Sequence, residues 1–316
     1  MRNFFIFTLF LAVTFGVYGQ VSVGRSSIGP FKDFRKGEYD LIKSKHTIFV
    51  VDDFSVADFD KIAKGVWTIT PYTVVTRAIF ENDREKYITE SNAIMLVEGY
   101  VRTVTSSSGM TTEYVYVNYG YFYPTDIKKN KKNELKYDRN EIASVFLSGD
   151  SATMWELIRT ANFGDLNKMY NYRLGYFKNY LQYINDLLRD KDYAFAYDKS
   201  YDKKEIKALA TATLYVPDYM KTKSVWGYKD EERANPDELF KKYDFKYQFI
   251  DDATLNEKIL AGGKEDFYYL MYTRVNGQKI ISVINGRTGK IIYKDYQTMS
   301  YSIKPKDLSE LSSAID

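Results

Sequence analysis

Cysteine is absent from the 316 residues. Its absence excludes disulfides, thiolate metal sites, dithiol exchange and cysteine nucleophiles. Histidine occurs once, at His46, which leaves little room for a Ser-His-Asp triad or a multi-histidine zinc site. Neither sign of charge dominates: 45 basic groups face 42 acidic ones, so no strong pull toward nucleic acid or an acidic surface is expected. Long apolar runs are missing except at the very start. With no disulfide to staple it, the chain must hold itself together by its core, and it is long enough for one or two domains.

The apolar run that does exist reads as a secretory signal. Arg2 supplies a positive start, Phe4 to Gly16 is almost continuously apolar, and Val17-Tyr18-Gly19 offers small residues for a signal peptidase. The run is shorter than the roughly 20 residues a spanning helix needs. Cleavage is expected after Gly19, with the mature chain starting at Gln20 and carrying no membrane span. No cysteine follows the cut, so a lipid anchor on that residue is excluded. The leader takes Arg2 and no acid with it, which lowers the net charge from +3 to +2. The expected destination is the periplasm of a bacterium with an outer membrane, with the extracellular space as the alternative.

Tyrosine is the abundant residue: 30, against 20 Phe and 3 Trp. Its apolar body and wet hydroxyl suit half-buried strands and helix faces. The tyrosines are spread along the chain, which favours that packing role over a stacking surface for sugars or bases.

Periodicity gives an α+β pattern. Residues 20–44 read as a loose arm or short edge structure. Thr47 to Val51 is a β-branched run bounded by Asp52-Asp53. A helix follows, with Asp58 as its cap and Phe59, Ile62, Ala63 and Val66 at helical spacing. Trp67 to Val75 is a strand that Pro71 assigns to an edge or bulge. Ala78 to Thr89 is helix or turn. Ala93 to Val101 and Glu113 to Tyr123 form a hairpin with a long connection. After the basic turn Lys128 to Asn133, helices are expected over Glu134 to Leu147 and Ala152 to Ala161. The longest is expected over Leu166 to Leu188, capped by Asp165. The opening pattern then returns. Thr213 to Pro217 resembles Thr47 to Val51, Pro236 to Phe240 starts a helix, and Phe245 to Ile250 follows with Tyr247 against Tyr72. Ala253 to Leu260 is a short helix. Phe267 to Val275 and Lys279 to Ile284 flank Asn276-Gly277, a strong hairpin signal, and Lys290 to Tyr293 follows. Pro305 to Ile315 is a last helix.

Each half therefore reads strand, helix, strand, helix, hairpin. The expected organisation is signal peptide 1–19, N-terminal arm 20–44, module 45–125, helical insert 126–210, a similar module 211–298 and a C-terminal tail 299–316. The element order is that of a thioredoxin-like domain, as an architectural analogy without the redox dithiol.

The motifs that suggest chemistry are weak. Val50-Val51-Asp52-Asp53 resembles the opening of a response-regulator receiver, but no acceptor aspartate ends the next strand and the chain is exported. Asp52, Asp53, Asp58 and Asp60 offer clustered oxygens for calcium, yet lack the glycine and terminal glutamate of an EF-hand. Asp251-Asp252 reads as a turn and helix start. Gly262-Gly263-Lys264 and Gly286 to Lys290 carry fragments of a phosphate loop without its spacing. Glu90, Glu98 and Glu113 lie near strands, where a pair of carboxylates would suit a glycosidase, but nothing singles two of them out. No catalytic, metal-ligating or cofactor-binding residue is assigned, and no cofactor. The expected function is non-enzymatic: a binding or interaction protein of the cell envelope, with a protein or a glycan as partner. It would use exposed sheet faces or the cleft between modules. The alternatives are a carboxylate hydrolase acting on an envelope carbohydrate, and a structural envelope component whose Tyr-rich helix packs on a partner.

Overall fold

A computed structural model describes residues 20–25, 32–160, 165–194, 199–225 and 229–316. The expected signal peptide lies outside these. In chain order the elements are β1 (Val21–Val23), α1 (Glu38–Lys43), β2 (His46–Val51), α2 (Val56–Val66), β3 (Tyr72–Thr76), α3 (Arg77–Asn82), α4 (Arg84–Tyr87), β4 (Asn92–Thr105), β5 (Thr111–Lys129) and β6 (Leu135–Leu147). They continue as α5 (Ser151–Thr160), α6 (Leu174–Asp190), β7 (Ser200–Tyr201), β8 (Leu214–Pro217), β9 (Thr222–Lys223), β10 (Glu231–Glu232) and β11 (Tyr247–Ile250). The last are α7 (Asp252–Ala261), β12 (Tyr268–Val275), β13 (Gln278–Asn285), β14 (Ile291–Gln297) and α8 (Pro305–Ile315). Short 3-10 turns cover Leu166–Lys168, Ile206–Ala210, Asp218–Lys221 and Pro236–Phe240.

Mixed helix and sheet make this an α+β protein, as its periodicity predicts. Two six-stranded sheets carry it, in the orders β1-β6-β5-β4-β2-β3 and β7-β14-β13-β12-β8-β11. β2 runs parallel to β3 and β4, and β8 runs parallel to β11 and β12. The remaining pairs within the two sheets are antiparallel. β9 and β10 form a small ribbon of their own. Pro71 stands just before β3, an edge strand, where its missing N–H leaves no ladder bond unmade.

The expected helix over Glu134 to Leu147 is instead β6, paired along β5. Its first half alternates half-buried Leu135 and Tyr137 with exposed Lys136 and Asp138, and its end is the run Val145-Phe146-Leu147. Pairing across the Lys128 to Asn133 turn outweighs the modest helix propensity of the segment. The stretch read as a helical insert therefore begins with a strand of the first sheet. The helix expected over 166–188 is also broken. A 3-10 turn at Leu166–Lys168 precedes α6, and Asp165 makes no side-chain cap bond.

α6 lies between the sheets. Phe177, Tyr180, Leu181 and Ile184 share one core with Phe49, Met95 and Tyr119 of the first sheet, Phe59 of α2, Leu255 and Ile259 of α7, and Tyr269 and Met271 of the second sheet. Three buried amides fasten it. Asn185 Oδ1 accepts from the main-chain N–H groups of Thr68 and Ile69, at 2.7 and 3.0 Å. Asn179 accepts from the Tyr269 hydroxyl at 3.0 Å and donates to the Gly286 carbonyl at 3.2 Å. Asn171, just before the helix, bridges Phe146 O and Ser148 N. Burying these amides is tolerable because each is paired. On the outer face of the second sheet, α8 sets Leu308, Leu311 and Ile315 against Leu270 and Val283. On the far face of the first, Phe80 and Tyr87 of α3 and α4 cover Ile48, Ile94 and Phe122.

Candidate functional site

β4 and β5 outrun the sheet they belong to. They pair with each other from Ile94 with Phe122 through to Thr105 with Thr111, whereas β6 joins β5 only from Val117 onward. The excess, residues 99–116, is a two-stranded arm closed by the Ser106 to Met110 turn. Tyr100, Val101 and Met110 on it are exposed, and Tyr100 stacks on Tyr116 with ring centroids 5.0 Å apart.

The base of the arm is clamped to the second sheet by Asn276. Its Oδ1 accepts from Val115 N at 2.9 Å and its Nδ2 donates to Val115 O at 3.0 Å. Asn276 also takes the left-handed conformation (φ 53°) that the β12–β13 turn requires. The turn role was legible in Asn276-Gly277; the clamp was not. Below it, Tyr116 and Phe146 pack directly on Val275 and Ile280.

A cavity of about 440 Å³ opens beside this clamp, where the arm, α5 and β12 converge. Trp155 and Met154 of α5 supply its apolar wall, Thr112 and Glu113 of the arm its polar one, and Arg274 its floor. Arg274 is buried and held at three points: Nη1 donates to Asp230 at 3.2 Å, Nη2 to Gly149 O at 2.9 Å, and its main-chain N to Ser148 Oγ at 3.0 Å. Asp230 also accepts from the Tyr170 hydroxyl at 2.8 Å. The Tyr170 hydroxyl is held well above its ordinary pKa, first by burial and then by Asp230. The pair acts as a bracket, because both charges are compensated. A second groove of about 440 Å³, lined by Tyr114, Tyr116, Gly277 and Met299, runs along the other side of the arm and shares Asn276.

A carboxylate pair is assembled elsewhere, on the face of the first sheet that carries Phe122. Arg139 donates to both oxygens of Glu98, at 2.6 and 2.8 Å, and lies 3.3 Å from Glu141. Its guanidinium stacks over the Phe122 ring at 3.6 Å. Gly120 makes room for this group: a Cβ there would sit 2.8 Å from Glu98 Oε1. Burial raises the Glu141 carboxyl to about 7, with Glu98 adding to the effect and Arg139 opposing it. Glu141 carried no signal in the sequence beyond its type, since the pairing depends on the β4–β5–β6 registers.

The other candidate residues are dispersed. Asp52 forms a bidentate pair with Arg77 at 2.8 and 3.0 Å, and burial pushes its carboxyl up against that pull. Asp53 accepts from Leu166 N at 2.6 Å. Asp58 is not the cap of α2. Ser55 is, its hydroxyl accepting from Asp58 N and donating to the Asp58 carboxylate. Asp60 raises the Tyr72 hydroxyl's pKa, after burial. Among the described residues no three His, Asp or Glu side chains converge as metal ligands. Asp251 caps α7, and His46 Nε2 meets Thr73 Oγ1 at 2.8 Å. Glu113 lines the cavity; Glu90 contributes its main-chain oxygen to Lys45. Gly262 is the left-handed end of α7, and Gly286 to Gly289 turn from β13 into β14 against α6. Most of the tyrosines that anchor these elements, Tyr119, Tyr121, Tyr172, Tyr176, Tyr180, Tyr269 and Tyr293 among them, are inside.

Among the described residues no helix is long and apolar enough to cross a membrane. No family model, curated protein or solved structure matches the chain.

Proposed function

We propose that this is an exported, non-enzymatic interaction protein of the cell envelope, and that it binds a partner protein along the β4–β5 arm and the clefts flanking it. One observation carries the reading. Among the described residues no strand but its own partner flanks the arm beyond Val117, where Asn276 holds it at Val115, and it exposes Tyr100, Val101 and Met110, while the remaining aromatics are largely consumed by the core. Open strand edges and exposed apolar side chains are the features by which extended segments of a partner are added. The Tyr-rich helix α6 is occupied between the sheets, which speaks against a structural component that offers this helix to a partner. A photo-crosslinker at residue 101, compared with one at exposed Lys306 on α8, tests the proposal in intact envelopes. A discrete adduct at 101 that Tyr100→Ser abolishes is expected. Equal labelling at both positions, or none, would overturn it.

We also infer that the two sheets are copies of one unit, longer than the sequence modules: about 20–190 and 199–316. Three features support this. Strand order and sense agree. The registers correspond pair by pair: Thr47 with Tyr72 and Ala93 matches Leu214 with Tyr247 and Tyr268, and Tyr121 with Ala143 matches Val283 with Tyr293. The ladder slips after Tyr121 in one sheet and after Val283 in the other, and bulges of this kind are kept features of a fold. An experimental structure in which these pairs fail to superpose would end the idea.

The hydrolase reading has one observation in its favour, the elevated Glu141 beside Glu98. Arg139 stands between the two carboxylates where a sugar oxygen would need to lie, so we keep this reading second. Turnover of an envelope polysaccharide that Glu141→Gln abolishes would reverse the order.

A further inference from the structure

We propose that the mature chain begins at residue 20 and that its N-terminal glutamine is closed to pyroglutamate. The proposal rests on cleavage after Gly19, the reading of the leader given above. Gln20 is 1% exposed and sits at the junction of the two sheets. Its main-chain oxygen accepts from Phe146 N at 2.6 Å, extending the β1–β6 ladder by one residue. Its side-chain nitrogen donates to the Tyr180 hydroxyl at 3.2 Å and contacts Met271 Sδ, while its Oε1 is buried with no partner.

Cleavage would place a new ammonium group here. The side chains that bond Gln20 among the described residues are Tyr180, a phenol that burial keeps protonated, and Met271, a thioether. Neither offers a negative charge to balance a cation, and a buried charge without a counter-charge is strongly disfavoured. Glutamine at an N-terminus carries its own remedy. The neutral α-amine attacks the Cδ carbonyl, the Cδ–Nε2 bond breaks, and a proton passes from the amine to the leaving nitrogen, which departs as ammonia. The product is a five-membered lactam with a neutral N–H. No oxidant, reductant or water is consumed. The carbonyl oxygen is kept, and Tyr180 keeps its bond to Asn171 O. Closure has to precede docking of β1, because the folded site hides both reacting atoms. It therefore belongs to the newly exported chain, whether unaided or assisted by a cyclising acyltransferase.

The test is the N-terminal peptide of the protein purified from its native envelope. Free amines are dimethylated before digestion, so that cyclisation during handling is not counted. A peptide starting at residue 20, unlabelled at its N-terminus and lighter than the glutamine form by one ammonia, is expected. A peptide starting at residue 20 with a labelled, intact glutamine would overturn the lactam and leave the cleavage reading standing. A peptide starting anywhere else would overturn the cleavage reading, and the proposal with it.

Discussion

Single residues fix the close approaches in this fold. Gly289 adopts φ +73° in the β13–β14 turn, and a Cβ there would lie 2.6 Å from the Asn179 carbonyl oxygen of α6. Gly289→Ala therefore carries a left-handed penalty and an overpacking one, together about 2–4 kcal/mol, which urea unfolding would register as a lower midpoint. Glu141 gives the clearest pH signature. Its folded pKa, about 7, lies above the unfolded value of a glutamate. Between the two values the native state holds the extra proton, so this residue's contribution to stability is present below the unfolded pKa and lost as pH rises toward 7. Glu141→Gln should flatten that decline. Melting temperatures of the two proteins should diverge in favour of the variant from pH 5 to pH 8, and parallel curves would disprove the elevation.

At the level of elements, the arm is the part least supported by the rest. Asn276→Gly keeps the left-handed turn but removes both bonds to Val115, leaving a main-chain N–H and C=O unpaired at a cost of about 1–3 kcal/mol. Amide exchange should accelerate over residues 99–116 and stay unchanged in β8 and β12, since fewer contacts hold the arm than the sheet. Uniform acceleration would mean that Asn276 supports the global fold instead. The helices differ in how far local sequence decides them. α7 and α8 were legible from a capping aspartate and a first-turn proline. β6 is not decided locally, because its charged first half satisfies helix and strand patterns alike until β5 supplies the partner.

At the scale of the whole molecule, the core containing α6 includes residues of both sheets. Removing either sheet would strip the opposite face of α6, so the two should not unfold separately. In a variant with Trp155→Phe and Trp226→Phe, denaturation followed by Trp67 fluorescence, which reports on Phe49 and Tyr121 of the first sheet, and by exchange at β12 and β13 should give coincident transitions. Two separated transitions would show that the shared core is energetically minor. The carboxylate group at Glu98 and Glu141 belongs to this scale as well. It joins residues from separate strands, and only the strand registers and the gap left by Gly120 bring them together.

Composition and local pattern settled what needs no partner. The lack of cysteine ruled out thiol chemistry outright, period-two runs and capping residues located most strands and several helices, and the scattered tyrosines announced their packing role. Those signals act within a turn of helix or a pair of strands, so one chain segment contains them. Tertiary structure decided the rest. It made 135–147 a strand, placed α6 between two sheets, turned Asn276 into a clamp and set Arg139 between two carboxylates. Each of these outcomes depends on pairing or burial between segments far apart in the chain, and the free energy that selects them exists only once those segments meet.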